Sequence, residues 1–230
     1  MTGPGWHVVV TGPRAGDQRR EALDFLAVSL GHRPGTFEVD HLCPGCGSTE
    51  HGAPVLRYSS LARRRHGPDA VDPARPLPAV SFSRSRGWLA TAWLDAAVAT
   101  EGWRIGVDIE ELGSSAFATA DDLGAVGYAV TEASAIAALP ASDQPLARAR
   151  LWSVKEALVK ARGTGFRGDP AEVSLVLDDE GPDDPEYEDP GLTWRVPGAP
   201  RAVISTDPSW PGGAAPEGLV GAVVVLPPSS

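Results

Sequence analysis

Lysine is nearly missing from this chain of 230 residues: of its 20 basic side chains all are arginine except Lys155 and Lys160. A cationic surplus is missing too. Those 20 basic residues face 30 acidic ones, for a formal net charge of −10, the wrong sign for a protein whose affinity comes from neutralising nucleic-acid phosphates. No apolar run approaches the ~20 residues of a membrane helix. Met1 to Val10 shows no basic segment followed by a long apolar core, so no secretory signal is expected and the cytosol is the expected compartment. Cysteine is scarce: two residues allow at most one disulfide, and the spacing Cys43-Pro44-Gly45-Cys46 suggests a thiol or metal motif rather than a staple. An apolar fraction of 42% at this length suits one compact domain, or two small ones sharing an interface.

The charge that is present is unevenly placed. Residues 1–110 carry 12 basic and 12 acidic side chains, whereas residues 111–230 carry 8 and 18 and so hold all of the net −10. Eight of the twelve residues from Asp178 to Asp189 are acidic and two are proline, which predicts a solvated loop or hairpin tip. Helical periodicity appears over Asp17–Leu30 (Leu23, Leu26, Leu30, then Gly31), over Thr131–Leu139 before Pro140, and over Pro145–Arg162. The third segment has Ser142 or Asp143 to cap it, Gly163 to end it, and the stripe Ala147, Leu151, Val154, Leu158, Ala161. Strands are predicted at Trp6–Thr11, Val80–Ser83, Leu89–Leu94, Arg104–Glu110, Glu172–Leu177, Thr193–Val196, Arg201–Ser205 and Leu219–Leu226. The order implies an α+β protein of two halves, 1–107 and 108–230, forming one unit. No internal sequence repeat is evident.

Two motifs carry chemistry. In Gly106-Val107-Asp108-Ile109-Glu110, strand alternation puts Asp108 and Glu110 on one face. Such a carboxylate pair is relieved by a hard cation, and Mg²⁺ takes one or two carboxylates plus phosphate oxygens. The second motif is Trp152-Ser153-Val154-Lys155-Glu156-Ala157-Leu158-Val159-Lys160, where Glu156 and Lys160 lie one helical turn apart, off the core stripe. Alone, this is a surface ion pair. With Trp152 and Val159 flanking the charges, it reads as a helix covered on two sides with a charged strip in a cleft. Asp108, Glu110 and Glu156 can together hold a metal, one carboxylate can receive a proton, and a lysine can meet a phosphate oxygen as a point charge. That set suits phosphoryl transfer, where positioning and charge neutralisation supply most of the catalysis.

The motif pair, in this order and some 45 residues apart, resembles the signature of the 4′-phosphopantetheinyl transferases, in the two-lobed form that activates surfactin synthetase and related assembly lines. The resemblance implies transfer of the phosphopantetheine arm of coenzyme A to a serine of an apo acyl or peptidyl carrier protein, with release of adenosine 3′,5′-bisphosphate. It implies a monomer of two pseudo-symmetric α+β halves, each a small antiparallel sheet with a long helix, and an active site in the cleft between them. By position, Asp108, Glu110 and Glu156 would bind Mg²⁺, Glu156 would draw the serine proton, Lys160 would stabilise or protonate the leaving group, and Lys155 would contact phosphate. His51-Gly52-Ala53-Pro54 resembles the turn that meets the adenine, with Ala53 where a basic residue is usual. Ser81-Phe82-Ser83-Arg84-Ser85 resembles the segment that contacts the coenzyme's phosphates through Ser83, Arg84 and Ser85, and Arg20 aligns with a residue that binds the 3′-phosphate.

Two features stand outside this signature. His41, Cys43, Cys46 and His51 could close a tetrahedral structural Zn²⁺ site, although a plain turn with reduced thiols fits their crowding better. Arg63-Arg64-Arg65-His66 forms a basic stretch, a solvated surface or an attractor for an acidic carrier domain. Two other functions compete with transfer: a non-catalytic coenzyme- or carrier-binding relative, and a zinc-dependent interaction module around residues 41–51.

Overall fold

The computed structural model describes residues 5–13, 16–43, 45–50, 52–118, 127–166, 169–177, 192–206 and 216–228. The acidic segment 178–189 and His51 lie outside these residues. The architecture is α+β, built on antiparallel sheets.

The first sheet has the order β1-β5-β4, from β1 (Trp6–Thr11), β4 (Ala79–Ser85) and β5 (Trp88–Leu94). β4 and β5 form a hairpin around Arg86 and Gly87, both at positive φ (49° and 77°), the backbone that matches a two-residue turn to strand twist. Helix α1 (Gln18–Ser29) is capped by the Asp17 carboxylate, which accepts the Arg20 N–H. It lays Leu23, Leu26 and Ala27 on Val80 and Trp93 of this sheet.

A second hairpin, β2 (Phe37–Leu42) with β3 (Ala53–Tyr58), completes that core through Phe37, Leu56 and Tyr58. The sequence reading gives no strands here, although Phe37, Val39 and His41 alternate with Glu38, Asp40 and Leu42. The hairpin's outer face is knit by Arg57, which bonds Glu38 and Asp40, each at 2.7 Å.

The other sheet has the order β6-β10-β9, from β6 (Arg104–Glu111), β9 (Val203–Thr206) and β10 (Leu219–Leu226). The central strand β10, Leu-Val-Gly-Ala-Val-Val-Val-Leu, is buried along its whole length, as a strand covered on both faces must be. One face packs on the long helix. The other presents Val107, Ile109, Val223 and Val225 to Val8, Ala90, Ala92 and Leu94 of the first sheet. The two sheets therefore share a core, and the expected division at 107/108 falls inside β6.

Helix α4 (Val130–Ala137) starts one residue before Thr131. Glu132 answers its N-terminus by accepting the Ala129 N–H. Helix α5 (Gln144–Arg162) ends at Gly163 in the left-handed conformation, φ 70°. Its stripe Ala147, Leu151, Val154, Ala157, Leu158, Ala161 packs on Ala222 and Val224. Between α5 and β9 the expected strand 172–177 is a 3₁₀ turn at Pro170–Glu172 followed by a two-residue strand β7 (Val176–Leu177), paired with β8 (Trp194–Arg195). Short helices at Ser60–Arg63 (α2) and Ala96–Thr100 (α3) lie between β3 and β4 and between β5 and β6. Among the described residues no helix is long and apolar enough to cross a membrane.

Candidate active site

β6 carries Gly106, Asp108 and Glu110 on the face turned to α5, and Val107 and Ile109 on the face turned to the first sheet. Gly106 sets the spacing. A Cβ there would lie 1.9 Å from the Ala157 carbonyl oxygen and 2.7 Å from the Ala161 nitrogen, so only glycine lets the helix backbone settle on the strand. That close approach brings Glu156 and Lys160 of α5 against Asp108 and Glu110.

Asp108 is buried at 3% exposure. Its Oδ1 accepts from Lys160 Nζ at 2.6 Å and from the Ser83 hydroxyl at 2.7 Å, while Lys160 Nζ also donates to Ser83 Oγ at 3.1 Å. The other oxygen, Oδ2, is buried and makes no hydrogen bond of good geometry among the described residues, although the Ser153 hydroxyl lies close to the carboxyl. Burial pushes the Asp108 carboxyl above its ordinary range, against the opposing pull of Lys160, Ser83 and Ser153. Glu110, half-buried, is pushed up to about 7 by burial and by the charges of Asp108 and Glu156, with Lys160 and a hydrogen bond to Trp152 working the other way. Glu156 is likewise raised by burial and by Asp108.

Three carboxylates close enough to perturb one another, one with an unsatisfied buried oxygen, form a donor set suited to a hard divalent cation. They are not drawn together at ligand spacing. Among the described residues no three His, Cys, Asp or Glu groups are placed to hold a metal ion.

Beside this cluster opens a cleft of about 410 Å³. Gly52, Ala53 and Pro54, entering β3, form one wall with His41 and Cys43. Ser81 and Phe82 of β4 and Val159, Lys160 and Gly163 at the end of α5 form the other. The expected adenine turn thus reaches the cleft with three of its four residues, His51 being outside the described residues. Gly52 is required there: at φ 110°, its Cβ would fall 2.5 Å from the Cys43 backbone.

Arg20 does not reach the cleft. It is exposed and paired with Asp24 at 3.4 Å, and Arg19 takes the position. Arg19 lies over the Phe82 ring at 5.0 Å, and burial and the nearby Arg84 charge lower its guanidinium. The spacing contains this: 19, 23, 26 and 30 follow the stripe that faces the core, and 20 stands one step off it. Arg84 is exposed beside Arg19, and Ser85 sits half-buried at the hairpin end.

Lys155 does not line the cleft either. It is fully buried on the side of α5 away from the cleft, where Nζ donates to Glu132 Oε2 at 2.6 Å and to the Gly127 carbonyl at 2.7 Å. Successive helical residues point about 100° apart, so the neighbour of Glu156 faces elsewhere and contacts no phosphate in the cleft. Glu132, absent from the sequence reading, is also fully buried; its other oxygen accepts the Leu175 N–H at 2.7 Å. Trp152 packs between Phe166, stacked at 5.5 Å, and Tyr128, edge-on at 6.5 Å, while bonding Glu110.

His41, Cys43 and Cys46 are not gathered as a metal-holding group. Cys43 instead closes a turn, its N–H bonding Ser48 and its carbonyl accepting from Gly47. Cys43 is buried and Cys46 exposed.

The family model of the 4′-phosphopantetheinyl transferase superfamily matches residues 104–202, the span that holds β6, α4, α5 and every acidic residue of the site. No curated protein matches the chain.

Proposed function

We propose that the chain, whose residues 104–202 match the family model of the 4′-phosphopantetheinyl transferase superfamily, transfers the phosphopantetheine arm of coenzyme A to a serine hydroxyl of an apo acyl or peptidyl carrier protein. One observation carries the reading: Lys160, bonded to Asp108 beside Glu110 and Glu156, lines a cleft that Arg19 and Gly52, Ala53 and Pro54 also line.

In this reaction the serine oxygen forms a bond to the phosphorus that carries pantetheine, the pyrophosphate P–O bond breaks, and adenosine 3′,5′-bisphosphate leaves. Glu156 accepts the serine proton. Burial beside Asp108 raises its basicity and so strengthens it as a base once ionised. Lys160 meets the charge that develops on the leaving phosphate, and Arg19, with Arg84 next to it, meets the rest of the coenzyme's anionic charge. Asp108, Glu110 and Glu156 would hold a divalent cation such as Mg²⁺. When bound, that ion supplies neutralisation of the pyrophosphate charge.

The experiment is intact-mass analysis of several apo carrier proteins incubated with the chain, coenzyme A and Mg²⁺. A gain of one phosphopantetheine arm on at least one carrier is expected. Glu156→Gln should lower the rate by about 10²–10⁴-fold with the circular-dichroism spectrum unchanged. No gain on any carrier overturns the proposal.

A further inference from the structure

β4 is an edge of the first sheet and β6 an edge of the second, and the two lie side by side. The join is made by the alternating serines of Ser81-Phe82-Ser83. Ser81 Oγ accepts the Val107 N–H at 3.1 Å, and Ser83, two residues on, reaches Asp108 and Lys160. Ser83 is buried at 7% exposure, and its hydroxyl is engaged as both donor and acceptor. A hydroxyl so committed has one lone pair left and no proton to offer a phosphate.

We infer that Ser83 is a positioning residue, contributed by the first sheet, that locks Asp108 Oδ1 and Lys160 together so that Asp108 presents only Oδ2 to the cation. The inference rests on the transferase reading and gives this serine a different task from the phosphate contact that its motif implies. Without Ser83, Asp108 is free to turn and offer both oxygens to Lys160. The carboxylate would then be tied up by the ammonium and withdrawn from the cation. Outer partners of this kind typically change metal affinity by about 10–100-fold when removed.

The test uses Mn²⁺ as the probe, its binding to the full chain with coenzyme A read from loss of the free-ion electron paramagnetic resonance signal. Steady-state transfer with Mg²⁺ is measured alongside. Ser83→Ala is expected to weaken Mn²⁺ binding by about 10-fold and to lower kcat, leaving KM for coenzyme A unchanged. Ser83→Thr, which keeps the hydroxyl, should restore both. A raised coenzyme KM with unaltered Mn²⁺ affinity would make Ser83 a phosphate ligand and overturn the inference, as would a loss that Ser83→Thr does not repair. If the unsubstituted chain neither binds Mn²⁺ nor transfers, the transferase reading falls and the inference with it. If it does both and Ser83→Ala keeps full Mn²⁺ affinity, the inference alone falls.

Discussion

Lys155 and Glu132 form an ion pair with no exposure on either side, closed by three further hydrogen bonds: Lys155 to the Gly127 carbonyl, and the Ala129 and Leu175 N–H groups to Glu132. The Tyr128 ring, 5.5 Å from Nζ, covers the ammonium. Burial lowers the Lys155 ammonium, and the bond and charge of Glu132 hold it up. Two charges taken out of water repay their desolvation only when every lone pair and proton is matched, and removal of one partner leaves the other stranded, at a cost of about 3–5 kcal/mol. Glu132→Gln should therefore lower the unfolding free energy by that amount in urea denaturation. Lys155→Met added to it should recover part of the loss, because the stranded charge is then gone. KM for coenzyme A in the folded double variant should stay unchanged, whereas a phosphate-binding Lys155 would raise it. At this scale Asp108, Glu110, Glu156 and Lys160 were legible in the sequence because each repeats at a period that fixes its face. Lys155 was legible as well, since it stands four residues after Leu151 and three before Leu158 on the core stripe. Adjacency to Glu156 masked that, and its partner Glu132 lies 23 residues away with no local pattern to link them.

Between elements, the contact that builds the site is strand β6 against helix α5, and it depends on the absence of a side chain at Gly106. Alanine there would drive a methyl carbon to 1.9 Å from the Ala157 carbonyl oxygen. Neither a central helix backbone nor a paired strand yields that much without losing its own hydrogen bonds. Gly106→Ala is thus expected to cost about 3 kcal/mol or more in urea denaturation, and to lower transfer further by moving Glu156 and Lys160 off Asp108 and Glu110. An unchanged unfolding midpoint would show that the helix does not rest on the strand in this way. The helices were legible from their stripes and stops, as were the long strands. The β2–β3 hairpin was not, because Glu38, Asp40 and Arg57 dilute the apolar alternation of its two short strands and Pro54 argues against a strand. The 170–177 region failed for a different reason. Val173, Leu175 and Leu177 alternate like a strand, but Leu175 gives its N–H to Glu132, which leaves only Val176–Leu177 paired with β8.

For the molecule as a whole, the sheets share one core while their edge strands β4 and β6 meet beside the acidic cluster, so folding forces Asp108, Glu110 and Glu156 together at the seam. Each is raised above its ordinary value by burial first, and Glu110 is pushed from 4.5 up to about 7. A carboxyl whose folded value is raised binds its proton more tightly folded than unfolded. Its protonated form therefore favours the folded chain, and stability is lost as pH climbs from about 4.5 through about 7. Surface carboxylates paired with arginine, such as Glu38 and Asp40 on Arg57, favour their charged forms and oppose that slope. The clean observable is accordingly a difference between variants. In metal-free buffer, Tm of the unsubstituted chain should fall between pH 5 and pH 8 relative to that of Glu110→Gln, by a few degrees. Adding Mg²⁺ at pH 8 should raise Tm of the unsubstituted chain through its selective binding to the folded state, and raise that of Glu110→Gln less, since one ligand is gone. At pH 5 protons compete for the same oxygens and the Mg²⁺ effect should shrink. Parallel Tm–pH curves for the two proteins, or an equal Mg²⁺ shift in both, would mean that the seam does not concentrate carboxylate charge at Glu110. The net −10 of the chain then bears on this site only through its placement: most of those charges repel in solvent, but these three repel at a partly buried seam where a cation relieves them best.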